Sequence, residues 1–210
     1  SKNSKFSTLK RRLASINVMH KYKGHYLDTK HPIIVENLLG IKRQIGIYQK
    51  AKKPLLFNDI KLIIKQIDQS SANDKKKQRD KALLLVGFAG GFRRSELVSI
   101  TKDDVEFVKE GVKIFVKKSK SDQSGEGMVK AIPSFKYNDY CPVENLRLWM
   151  FENRSDQIFP ISDKNVALII KKYALKAGFD DKKYAGHSLR SGFATSTAES
   201  GASERNIMAM

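Results

Sequence analysis

The sequence has a single cysteine, Cys141, among 210 residues. One thiol closes no disulfide within the chain and builds no multi-cysteine zinc site, and such sparing use fits a reducing cytoplasm. Long apolar runs are missing too. The longest stretch of apolar residues and glycine, Ala82 to Phe92, is 11 residues, too short to cross a bilayer. The basic N-terminus is followed by no apolar segment of the signal-peptide kind, so a cytosolic protein without membrane contacts is expected. No internal repeat is visible, and no carboxylate cluster presents itself for a metal. Acids are scarce relative to bases: 22 Asp and Glu stand against 40 Lys and Arg, a net +18. Self-repulsion of that size adds nothing to a fold. It is the mark of a polyanionic partner, nucleic acid first and an acidic membrane or protein second.

The charge is unevenly placed. Residues 1–58 hold 13 Lys and Arg against two acids, Asp28 and Glu36, so +11 of the +18 lies there. Two helices are expected in this region. One runs from about Ser7 to Tyr22, with Leu9, Leu13, Ile16 and His20 on one face and Ser7 or Thr8 as its cap. The other follows His31-Pro32, because the N–H that proline lacks is not needed in a first helical turn. Gln49 to Pro54 reads as a basic linker, which divides the chain into a helical DNA-binding unit, 1–53, and a second domain, 54–210.

In that second domain a helix is expected over Phe57 to Ile67, capped at Asn58. The run Lys75 to Lys81 reads as a solvated helix entrance. Ala82 to Ala89 is apolar all round and should be a buried helix. Val105–Val108 and Val112–Val116 read as a strand pair, since Val112, Ile114 and Val116 alternate with Lys113 and Phe115. A third strand is expected over Met128 to Ile132. Further helices are expected over Pro142 to Glu152, Lys164 to Ala177 and Ser188 to Glu199, with Gly178 and Gly201 as stops. The fold class is therefore mainly α with one small three-stranded antiparallel β-sheet.

Three separated segments carry residues suited to a phosphodiester. In Gly91-Phe92-Arg93-Arg94-Ser95-Glu96-Leu97, Arg93 brings a planar, permanently charged fork for two phosphate oxygens. Glu96, three residues on, faces the same way if a helix starts there. In Lys117-Lys118-Ser119-Lys120-Ser121, a lysine on a β-turn is placed to reach a phosphate or donate a proton. In Gly186-His187-Ser188-Leu189-Arg190, His187 and Arg190 lie three apart at a helix start, where free N–H groups also favour an anion. Singly, each has an ordinary explanation: a surface ion pair, a solvated turn, a structural histidine.

Together and in this order they resemble the tyrosine recombinase (phage integrase) family. Gly91 to Leu97 resembles that family's first box, Gly-Leu-Arg-x-Ser-Glu-Leu, and His187 to Arg190 resembles its second, His-x-Leu-Arg. Lys120 falls where the family keeps its hairpin lysine, with Lys118 as the fallback. Thr8 to Ile16 and His31 to Arg43 resemble late helices of the core-binding domain that precedes the catalytic one. The resemblance implies DNA strand cleavage and rejoining through a 3′-phosphotyrosine, without ATP, cofactor or metal, of the kind used in DNA integration by phages and mobile elements. It makes Arg93 and Arg190 the clamp on the non-bridging oxygens, Lys120 the general acid, His187 the proton-handling residue and Glu96 the organiser of the pocket. It also implies double-stranded DNA as partner and a homotetramer on synapsed DNA.

The nucleophile is where the sequence departs from the family. No tyrosine follows Arg190 up to Met210, and Tyr173 and Tyr184, which precede the second box, do not match it. The expectation is a fragment cut at both ends, inactive in strand cleavage. A non-catalytic DNA-binding protein derived from an integrase is the alternative. A type IB-like topoisomerase is a third reading, opposed by the basic helical pair upstream.

Overall fold

The computed structural model describes residues 4–47, 52–117, 126–135 and 138–201. They belong to two compact units, residues 1–51 and 52–210. The first unit holds helix α1, Phe6–Tyr22, and helix α2, Pro32–Ile45. Neither contains a buried residue. The expected cap at Ser7 or Thr8 is not used: α1 starts one residue earlier, from Lys5, without a side-chain cap. His31 caps α2 instead, its Nδ1 accepting from the Ile33 N–H at 3.3 Å.

The second unit contains α3 (Phe57–Asp68), α4 (Asp74–Ala89), α5 (Arg94–Ser99), strands β1 (Val105–Val108), β2 (Gly111–Val116) and β3 (Met128–Pro133), then α6 (Pro142–Glu152), α7 (Asp163–Lys176) and α8 (His187–Glu199). The expected cap of α3 is corrected as well. Asn58 lies inside the helix, and the Asp59 carboxylate accepts from the Leu56 N–H at 3.0 Å. A carboxylate one turn in serves the orphan donor as well as a capping amide would.

Helix α4 forms the centre. Its apolar half, Ala82 to Phe88, is buried and packs among α3, α6, α7 and α8. The lysine run before it is the first half of the same helix, capped by Asn73, whose Oδ1 accepts from the Lys76 N–H at 2.9 Å. The sheet is antiparallel in the order β1-β2-β3. Val112, Ile114 and Val116 are buried while Lys113 and Phe115 are exposed, as the alternation requires. Among the described residues no helix is long and apolar enough to cross a membrane.

The residues before α3 run alongside the start of α8. Lys53 N–H donates to the Lys183 carbonyl at 2.8 Å, and Leu55 N–H to the Ser188 carbonyl at 2.9 Å. Gly192 makes this approach possible, because a Cβ there would sit 1.8 Å from the Leu55 carbonyl oxygen. In an open helix Gly→Ala stabilises by about 1 kcal/mol. Here the obstacle is backbone on both sides, and steric overlap decides the sign. Gly192→Ala is expected to destabilise by about 3 kcal/mol or more. A urea melt giving the variant an unchanged or higher midpoint would contradict this packing.

Candidate phosphate-binding site

The site grows from the end of α4. Gly91 takes φ +56°, a left-handed conformation that suits glycine, and reverses the chain so that Phe92 enters the core and Arg93 becomes the N-cap of α5. Glu96 lies one turn in and is 2% exposed. Its Oε2 accepts from the Arg93 N–H at 2.9 Å, and its Oε1 accepts from the Arg93 Nη1 at 2.6 Å. One carboxylate thus caps the helix and fixes the guanidinium. Arg94 points elsewhere: a Cβ on Gly186 would collide with its Cγ and Cδ, so its stem packs where α8 begins.

Arg190, on α8, reaches the same turn. Its Nη1 donates to the Gly91 carbonyl at 2.7 Å. Burial lowers the pKa of Arg190 from its ordinary value, the nearby Arg93 lowers it further, and Glu96 opposes both. Two guanidiniums and one buried carboxylate therefore converge from distant parts of the chain. His187 opens α8 three residues before Arg190 and is exposed. That spacing sets both on one side of the helix.

Lys120 and Lys118 lie outside the described residues. Lys117, at the end of β2, is engaged elsewhere, with its Nζ 2.8 Å from Asp104 Oδ1. The two tyrosines that the sequence draws into question are core residues. Tyr173 is fully buried and its hydroxyl donates to Asp80 Oδ2 at 3.3 Å; Tyr184 is 7% exposed. Burial raises the pKa of Tyr173, with Asp80 pushing the same way, so the phenol is held neutral.

One residue of the site escaped the sequence reading. Lys130, on β3, is 4% exposed, and its Nζ donates to the Gly90 carbonyl at 2.9 Å. The ammonium lies 5.2 Å from the centre of the Phe92 ring. Its pKa is lowered to about 8, by burial first, then by Arg190 and Arg93, against the pull of Glu96. A signal was present in the sequence. Lys130 falls between Met128 and Ile132 in a strand of period two, on the inward face, opposite Ile114. A lysine in that register is an inward-pointing charge.

Comparison with known proteins agrees with this picture. Residues 53–210 match the phage integrase family. The chain is 38% identical over 214 residues to an integrase/recombinase xerD homolog of Selenomonas ruminantium, covering 94% of this chain and 62% of that protein's length. The fold resembles XerH site-specific recombinase in a pre-cleavage complex with its difH substrate: TM-score 0.61 and 18% identity, over 99% of this chain and 63% of that one. It also resembles lambda integrase in a tetramer bound to a Holliday junction: TM-score 0.55 and 17% identity, over 83% of this chain and 55% of that one. With the match extending from the linker through the arginine-bearing turn to α8, the chain belongs to the phage integrase family, the tyrosine recombinases.

Proposed function

We propose that this chain is the DNA-grasping and phosphate-activating part of a site-specific recombinase that cuts and rejoins duplex DNA through a 3′-phosphotyrosine. The observation that carries this reading is the convergence of Arg93 and Arg190 on one glycine turn, with Glu96 buried between cap and guanidinium. Two guanidiniums held before substrate arrives meet the charge that grows on the non-bridging oxygens, without reorganising as it grows. In this reading Arg93 and Arg190 grip the scissile phosphate and Lys120 protonates the leaving 5′-oxygen. His187 handles the proton of the attacking phenol, and Glu96 organises the site. Two guanidiniums and a lysine can supply the positive charge that a magnesium ion brings to other phosphoryl transfers. Residues 1–53 would lie on the phosphate backbone as part of a core-binding domain. The full recombinase would work as a tetramer on synapsed DNA, the state in which the similar lambda integrase is found on a Holliday junction.

None of the tyrosines within these 210 residues is assigned as the nucleophile, so the chain by itself should bind DNA and form no covalent adduct. Fixed positive charge stabilises a transition state but supplies no attacking oxygen. The test uses a nicked duplex carrying the attachment site, whose cut strand cannot religate, run on a denaturing protein gel. The chain alone should give no protein–DNA band, and the chain joined to a tyrosine-bearing C-terminal segment should give one. A band from the chain alone that disappears in Tyr173→Phe or Tyr184→Phe would overturn the assignment. Binding without an adduct from the extended chain would favour the non-catalytic DNA-binding alternative.

A further inference from the structure

Lys130 has no role in the reading so far, yet the fold goes to some length to place it. A lysine is rarely buried to this degree without a function or a partner. It lies on the apolar side of the sheet, in register with Ile114, where an aliphatic residue would pack without desolvating a charge. The Gly90 and Gly91 carbonyls are consecutive. One accepts from Lys130 and the other from Arg190, so a strand and a helix are both tied to the turn that leads into Arg93. Lys130 also belongs to the strand that follows residues 118–125, the segment holding Lys120.

We propose that Lys130 is a positioning residue of the phosphate site: it fixes the Gly90–Gly91 turn from the β-sheet side and adds a third, titratable positive charge behind the Arg93–Arg190 pair. The proposal rests on the reading of that pair as a grip on a phosphoryl group. Among the described residues, the charged groups that bear on Lys130 include Arg93 and Glu96 at the start of α5 and Arg190 of α8; β2 presents Ile114, and the Phe92 ring lies close by. Burial and the two arginines disfavour the ammonium, and Glu96 only partly offsets them. An anion placed between the arginines would reverse that balance and draw a proton onto Lys130.

The sign of the pH effect follows. Below about pH 8 Lys130 is charged before and after an anion binds, and affinity is highest. As pH rises through about 8, the free site loses the proton first and affinity falls. It levels off once Lys130 is neutral in the complex as well. The hydrogen bond to Gly90 survives this titration, because a neutral amine still donates.

Inorganic sulfate is the probe, since it stays a dianion across the range and contributes no titration of its own. Its binding to the 210-residue chain is followed through the side-chain Nε–H signals of Arg93 and Arg190 in nitrogen-15 NMR. Affinity is expected to weaken about tenfold between about pH 7 and about pH 9.5. Lys130→Met should bind about tenfold more weakly at the lower pH and show no slope through 8. Lys130→Arg should restore affinity and also lack the slope, which a merely structural role would not produce. Should Lys130→Met fail to fold, the Lys130 carbon-13 ε signal of the unaltered chain replaces it, and sulfate should raise its titration midpoint.

A Lys130→Met chain that keeps wild-type affinity or the wild-type slope overturns the inference, as does a Lys130 midpoint that sulfate leaves unmoved. If neither arginine signal responds saturably to sulfate, the phosphate-grip reading itself fails and takes this inference with it.

Discussion

Arg190→Ala is expected to slow strand cleavage by at least about a hundredfold, the loss typical of removing one transition-state donor. Duplex affinity should stay within a few-fold. The contrast comes from how the two kinds of contact are shared. In the proposed complex the backbone phosphates are shared among many of the 40 Lys and Arg, so one fewer changes little. In the proposed site the scissile phosphate is met by only a few groups, among them Arg190, which is anchored on the Gly91 carbonyl at 2.7 Å. Alanine removes both the charge and the anchor. Lysine would restore charge without the two-pronged geometry and should recover only part of the rate. Cleavage and binding are to be measured on the same nicked duplex, with this chain joined to a tyrosine-bearing segment. Near-normal cleavage by the alanine variant would take Arg190 out of the site.

DNA affinity should fall by on the order of a thousandfold or more between 50 and 200 mM salt, if six or more phosphates are contacted. The basic residues are placed for such contacts. Lys10, Arg11, Arg12 and Lys21 on α1 and Lys42 and Arg43 on α2 are all exposed, and the acids that would neutralise them are nearly absent from that unit. Each phosphate neutralised releases condensed counterions, which makes the logarithm of affinity linear in the logarithm of salt. Removing residues 1–51 should make the line shallower as well as weaken binding. A titration of the intact chain with no salt dependence would refute electrostatic docking of either unit on DNA.

Much of the fold is legible in the sequence. The buried half of α4, the alternation of β2 and the run of α6 follow from patterns that depend on neighbours in sequence: an all-apolar stretch, a period of two, a proline at a helix start. The two misplaced caps follow from the same dependence. Ser7, Thr8 and Asn58 are good capping side chains, but Lys5 and Leu56 open the helices. Asp59 reaches back to satisfy Leu56, a choice settled by where the chain enters the helix.

The composition by itself pointed to a polyanionic partner, and the order of Arg93, Glu96, His187 and Arg190 pointed to the family, because residue type and spacing carry that information. Tertiary structure decided which side chains meet. Lys130 is 40 residues from the Gly90 carbonyl it binds, and Arg190 is 99 from Gly91. No local pattern encodes either contact, since both arise only when β3 and α8 pack against the turn after α4. The lowered pKa of Lys130, the neutral buried phenol of Tyr173 and the close approach of Leu55 to Gly192 are properties of that packing, because desolvation and steric overlap exist only once the chain has closed on itself.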